Sequence, residues 1–215
     1  MAEVGDDPRF LEREWLRERW TSRYTMQKRV IDLLFSIPLL IIAAISFPFI
    51  VLAIKLDSRG PVFYYQERVG KDGECFSVIK FRSMVADAER GGARFASADD
   101  ARITRVGVIL RGTRLDELPQ IINVLRGEMA LVGPRPERPH VIEQVSAQVP
   151  LFAMRTVVRP GLTGWAQVKS SYAANETELA MKLEYDLYYI RNASIGMDLS
   201  VLFHTALVVL RFKGV

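Results

Sequence analysis

Twenty-five residues from Val30 to Ile54 form an apolar run interrupted only by Asp32, Ser36, Ser46, Pro38 and Pro48. As a helix it covers about 37 Å at 1.5 Å per residue, enough to cross a hydrocarbon core of about 30 Å. A single-pass anchor satisfies that length. A re-entrant hairpin satisfies it together with two further features. Arg13, Arg17, Arg19, Arg23, Lys28 and Arg29 precede the run, and Lys55, Arg59, Arg68 and Lys71 follow it, so the positive-inside rule places both ends on one side. Pro38 and Pro48 each remove a backbone donor and kink a helix, and Ser36 and Ser46, two residues earlier, can satisfy freed backbone groups. Asp32 falls where a carboxylate stays in the headgroup layer. The run starts too late, and is too long, for the apolar core of a signal peptide, and no small-residue cleavage pattern follows it.

The rest of the 215 residues suffices for one domain. A formal charge of +4 suits anionic lipid, phosphorylated substrates or nucleic acid, and the membrane run favours lipid and phosphate over nucleic acid. The single cysteine, Cys75, excludes an intramolecular disulfide and is compatible with a reducing compartment. Phe10, Trp15, Leu16, Trp20 and Tyr24 recur among charges at helical spacing, which predicts an amphipathic arm over residues 1–25, at the membrane interface or on a partner surface. Met197 to Phe212 carries Leu199, Leu202, Phe203, Ala206, Leu207 and Leu210 on one helical face, a second interfacial candidate or a helix packed on the core.

Pro61–Val69 and Cys75–Phe81 read as strands joined by an Asp72-Gly73 turn. With a period of two, Phe76, Val78, Lys80 and Arg82 share a face, Lys80 and Arg82 about 7 Å apart. With Arg68 on the partner strand they form a candidate phosphate-binding patch. Residues 86–101 lack a period and read as a loop; Thr104 is expected to cap a short helix through Leu110.

Asp116-Glu117 is the acidic pair that stands out, flanked by Arg111 and Arg114. Pro119, tolerated in a first helical turn, and Gly127, a stop, predict a short helix with the two carboxylates at its N-terminus. A carboxylate can attack a phosphoryl group to give an acyl phosphate, provided cations neutralise the phosphate. Its neighbour can ligate a hard cation such as Mg²⁺. Prolines on both sides of Arg135 limit the entropy that residue loses on meeting an anion. Arg159-Pro-Gly-Leu-Thr-Gly-Trp165-Ala-Gln167 reads as a tight turn, shaping a pocket or merely burying Trp165. Glu184 and Asp186 either join the acidic site or are solvated.

Taken in order, Lys28-Arg29, Asp32, the apolar run, Gln66-Glu-Arg68-Val-Gly70, Lys80-Phe-Arg82-Ser-Met84, Leu115-Asp116-Glu117-Leu-Pro119-Gln120, Asn123-Val-Leu-Arg-Gly127, Val132-Gly-Pro-Arg-Pro136-Glu137 and Arg159 to Gln167 closely resemble the bacterial sugar transferases, the small monotopic phosphoglycosyl transferases. The likeness spans about residues 26–213. It implies an α+β fold: a mostly helical catalytic domain with a small β-hairpin over 58–215, a re-entrant membrane helix over 26–57 and interfacial amphipathic helices. It implies transfer of a phospho-sugar from a UDP-sugar to polyprenyl (undecaprenyl) phosphate with loss of UMP, at the cytoplasmic face of the bacterial inner membrane. By the same resemblance Asp116 is the nucleophile, Glu117 is associated with Mg²⁺, and Lys80 and Arg135 serve the phosphates; Arg68, Arg82 and Arg114 join them as basic candidates. Direct attack by the lipid in a ternary complex, and a non-catalytic membrane scaffold, are the alternatives. The sugar, the glycoconjugate pathway and a homodimer built on the arm or last helix stay open. The chain departs from the family pattern at the hairpin break, and after Trp165-Ala-Gln-Val, where Lys169-Ser170-Ser171 replaces the usual Asn-Gly-Arg.

Overall fold

The computed structural model of the chain describes Glu18, Trp20, Glu178 and residues 23–90, 100–170 and 181–210. Most of the arm, part of the 86–101 loop and the last residues of the C-terminal segment lie outside them.

Helix α1, Arg23–Asp57, contains the whole apolar run. It continues through Pro38 and Pro48, both of which the sequence offered as break points. Ser36 donates to the Asp32 carbonyl at 2.6 Å and Ser46 to the Ile42 carbonyl at 2.8 Å, back-bonds that bend helices without ending them. One stripe of α1 faces the protein: Asp32, Ser36, Ile50 and Ile54 are buried and Leu39 packs on the main core, at intervals of whole helical turns. Leu34, Ile37, Ile41, Ile45, Phe49 and Leu52 on the other faces are exposed, an apolar surface suited to lipid rather than water.

Both ends of α1 are tied to the same domain. Arg29 donates to the carbonyls of Val124 and Leu125 at 2.6 and 2.9 Å, and the Leu131 amide donates to Asp32 at 3.1 Å. At the far end the Val106 amide donates to Asp57 at 3.0 Å, and Ile50 and Ile54 pack with Phe81 and Leu110. Trp20 and Tyr24, which the sequence placed on an amphipathic arm at the membrane interface or on a partner surface, face inward: Trp20 is buried and donates to the Ile190 carbonyl at 3.1 Å, and Tyr24 donates to Asp198 at 2.9 Å. The polar tips of these two side chains thus have protein partners.

Strands β1 (Phe63–Val69) and β2 (Cys75–Phe81) form the expected antiparallel hairpin, with Phe63 opposite Phe81 and Tyr64 opposite Lys80. Asp72 and Gly73 take the positive φ values that favour an Asp-Gly turn, 57° and 88°. Phe63 and Phe81 stack on each other and against Phe47 of α1. The alternate face, with Tyr64, Gln66, Arg68 and Lys80, lines a cavity.

Helix α2, Arg105–Gly112, starts at Thr104, whose side chain accepts from the Gly107 amide at 2.9 Å. A 3₁₀ turn, Leu115–Gln120, leads into α3, Ile121–Arg126, which stops at Gly127 with φ 83°. Strands β3 (Ala130–Val132) and β4 (Gly161–Thr163) pair in parallel, the crossover between them carrying α4 (Pro139–Gln148) and a 3₁₀ segment, Pro150–Val157. Helices α5 (Trp165–Lys169), α6 (Leu183–Asn192) and α7 (Ile195–Leu210) follow. On α7, Leu199 and Phe203 are exposed while Asp198 and Val201 are buried. The main core gathers Val124, Leu131, Val132, Phe152, Val157, Tyr189 and Ile190 around the β3–β4 pair.

Candidate active site

The 3₁₀ turn Leu115–Gln120 places Asp116 and Glu117 between the hairpin, α2 and α3. The expected α-helical N-terminus is corrected here: the α-helix begins only at Ile121, after Pro119 has been absorbed into the tighter turn. Arg114, at the entrance to the turn, adopts φ 57°. That left-handed conformation costs a non-glycine residue about 1–2 kcal/mol, strain of the kind stored at functional sites.

Both carboxylates are buried. Glu117 Oε1 accepts from Arg135 at 2.7 Å and from Lys80 at 2.8 Å. These two cations hold the Glu117 carboxyl well below the usual carboxylate range. Asp116 lines the cavity. Burial, with the adjacent Glu117 charge, pushes its carboxyl up to about 6, against the pull of Lys80, Arg111 and Arg135. The two neighbouring carboxyls are thus shifted in opposite directions, Glu117 down by its ion pairs and Asp116 up by burial.

The cavity has a volume of about 290 Å³. Lys80, Arg111, Arg114, Arg135, Arg138 and Lys182 are among its cations. Of the five basic residues singled out from sequence, Lys80 and Arg135 meet at Glu117. Arg114 lies on the cavity wall. Arg68 also reaches the wall, but its guanidinium donates to the Pro136 carbonyl at 2.8 Å, to Glu137 at 3.3 Å and to Gln66 at 3.0 Å, so it braces the 133–137 loop. Arg82 also lines the cavity. It is buried and donates to the carbonyls of Ser58 (2.8 Å) and Arg59, closing the chain after α1. Gly60, at φ 126°, is required there because a Cβ would collide with the Arg82 guanidinium.

Sequence reasoning missed Arg155, which is buried and donates to Asp186 at 2.8 Å and to the Arg135 carbonyl at 3.0 Å. Asp186 is thereby part of the cavity wall, while Glu184 is exposed. Burial raises the Asp186 carboxyl and Arg155 opposes it. Nothing local marks Arg155 in the sequence, since its partners lie 31 and 20 residues away. Trp165 stacks on Tyr188 at 6.2 Å, beside rather than on the cavity wall, to which α5 contributes Ala166 and Gln167.

Among the described residues no group of three or more His, Cys, Asp or Glu side chains surrounds a metal position. Two adjacent carboxylates nonetheless suit Mg²⁺, which is commonly bound through one or two carboxylates with phosphate and water completing the shell.

The family model described as bacterial sugar transferase matches residues 23–212. The chain belongs to the bacterial sugar transferase family. It is 42% identical over 198 residues to a UDP-N-acetylgalactosamine-undecaprenyl-phosphate N-acetylgalactosaminephosphotransferase of Aeromonas hydrophila, covering 89% of this chain and 45% of the relative. It is 43% identical over 197 residues to an undecaprenyl-phosphate glucose phosphotransferase of Komagataeibacter xylinus, covering 88% and 37%. The chain thus spans less than half the length of these two relatives. An exopolysaccharide production protein of Rhizobium leguminosarum bv. phaseoli is 40% identical over 197 residues, 87% of this chain and 97% of that protein.

Proposed function

We propose that this bacterial sugar transferase moves a phospho-sugar from a UDP-sugar to undecaprenyl phosphate in two steps. The observation that carries the reading is Asp116: a desolvated carboxylate on the wall of a cation-lined cavity, its neighbour Glu117 fixing Lys80 and Arg135 beside it. Names of relatives supply the substrate classes, a UDP-sugar and undecaprenyl phosphate.

In the first step an Asp116 oxygen attacks the β-phosphorus. The bond from that phosphorus to the bridging oxygen breaks, and UMP leaves with the electron pair. In the second step an oxygen of the lipid phosphate attacks the same phosphorus, releasing the Asp116 carboxylate and forming the diphosphate-linked lipid sugar. Lys80 and Arg135 stand where they can neutralise the phosphoryl oxygens, and Arg111 and Arg114 add positive charge to the same cavity. Glu117 would be the residue to hold Mg²⁺, which would supply further charge neutralisation when bound.

The membrane reading follows from α1. Arg29 and Asp57 are fastened to one domain, and the faces between them are apolar and exposed. We infer a monotopic, re-entrant placement in the bacterial inner membrane with the catalytic domain on the cytoplasmic face, where UDP-sugars are made.

The deciding experiment is UMP release from a panel of UDP-sugars, with the full chain in nanodiscs, Mg²⁺ and undecaprenyl phosphate. Release with one donor, lost on omitting Mg²⁺ or in Asp116→Asn, supports the reading and names the sugar. Release that is unchanged in Asp116→Asn contradicts it.

A further inference from the structure

The loop that carries Arg135 is held in an unusual way. Pro134 and Pro136 have no amide hydrogen, so neither can anchor the loop by donating. Its carbonyls do the anchoring instead, four in succession. The Pro134 carbonyl accepts from the Gly161 amide at 2.8 Å, the Arg135 carbonyl from Arg155 at 3.0 Å, the Pro136 carbonyl from Arg68 at 2.8 Å, and the Glu137 carbonyl from the Val69 amide at 2.9 Å. Three of these anchors come from β1 and β4. Arg155 is the one supplied by the 3₁₀ segment Pro150–Val157, and it holds the residue whose guanidinium reaches Glu117 at 2.7 Å.

Arg155 is itself held by two neighbours, although its Nη1 makes no hydrogen bond among the described residues. Its Nε donates to Asp186 of α6 at 2.8 Å, its guanidinium carbon lies 4.6 Å from the centre of the Phe152 ring, and the side chain is buried. A buried ion pair is weak evidence of a contribution to stability, because packed apolar residues often replace one without loss. A planar fork that must meet a carboxylate and a backbone carbonyl together is a geometric device, which lysine does not reproduce.

We propose that Arg155 is a positioning residue: clamped by Asp186, it sets the backbone of Arg135 and through it the Arg135–Glu117 contact beside Asp116. The inference rests on the proposed function for its kinetic consequence, but the geometry it concerns also governs binding of a diphosphate. Groups facing Arg155 and Asp186 from the packed elements are Glu137 and Lys182, and both remain in place in the variants below.

The test is a double-mutant cycle on the full chain in nanodiscs, read by UMP release and, separately, by calorimetric binding of UDP. Arg155→Met is expected to lower kcat/KM for the donor by about 10–100-fold, the cost of a misplacement on the order of 1 Å, and to weaken UDP binding in parallel. In an Arg135→Ala background the same substitution is expected to change either quantity less than about twofold, because residues acting as a unit are not additive. Equal fold losses in both backgrounds would overturn the proposal, as would no loss in the single variant. Asp186→Asn, which loosens the clamp while nearly conserving shape, carries the same cycle if Arg155→Met does not fold. A wild-type protein that binds UDP but releases no UMP would defeat the proposed function while leaving the binding cycle to decide on Arg155.

Discussion

Asp116 and Glu117 adjoin in sequence yet stand in opposite electrostatic states: Glu117 is bound by Arg135 and Lys80 at 2.7 and 2.8 Å, whereas Asp116 faces the cavity with its carboxyl pushed up to about 6. Glu117 orders two cations, and burial leaves Asp116 poorly solvated beside them.

If Asp116 is the nucleophile proposed above, it reacts as an anion, and donor turnover should rise tenfold per pH unit below about 6 and level off above it. The stability effect has the opposite sense. A carboxyl raised from 3.8 to about 6 favours the folded state below pH 3.8, and that contribution is lost as pH rises through 6. Asp116→Asn should therefore melt higher than wild type at pH 7 and show no such advantage near pH 4, as thermal denaturation across pH will reveal.

Arg82 and Lys80 should respond differently to replacement. Arg82→Met strips the carbonyls of Ser58 and Arg59 of their buried donor, and it should lower stability by about 1–3 kcal/mol. Lys80→Met removes a partner of Glu117 at the cavity and should reduce kcat about 100-fold or more. Melting temperatures and initial rates on both variants will separate the two roles.

Gly161 and Gly164 pack against Gly133 with no room for a side chain. A Cβ on Gly161 would lie 2.1 Å from the Gly133 nitrogen, and one on Gly164 2.1 Å from the Gly133 oxygen. Either alanine variant should destabilise the protein by about 1–3 kcal/mol and also slow turnover, because the backbone that shifts leads directly to Arg135. Denaturant melts combined with rates will show whether the two losses occur together.

Membrane placement is open to labelling. With Cys75 replaced by serine, single cysteines at Met26 and Lys55 should react with an impermeant thiol reagent from the same side of sealed vesicles. Reaction from opposite sides would establish a transmembrane α1.

How much of this was legible in the sequence depended on how local the signal was. The hairpin, the Thr104 cap and the Gly127 stop each depend on a few adjacent residues, and each was readable. The apolar run announced α1, but its continuation through Pro38 and Pro48 depends on back-bonds and packing that no residue pattern encodes. Pro119 fits an α-helical first turn and a 3₁₀ turn alike, so residue type alone does not decide the backbone around Asp116. Arg82 shares a strand face and a cavity wall with Lys80, whereas its bonds to the Ser58 and Arg59 carbonyls depend on a return of the chain that no local pattern marks. The Arg155–Asp186 pair spans 31 residues, a contact set by the packing of α6 on the 3₁₀ segment.

The most direct test of the central claim is a trapping experiment: donor labelled in the sugar is mixed with the protein and Mg²⁺ in the absence of any polyprenyl phosphate, and the protein is digested and mapped. Wild type should carry one phospho-sugar per chain, on the peptide containing Asp116, released on adding undecaprenyl phosphate and missing from Asp116→Asn. An active wild-type enzyme that carries no label, or label that persists in Asp116→Asn, would contradict it.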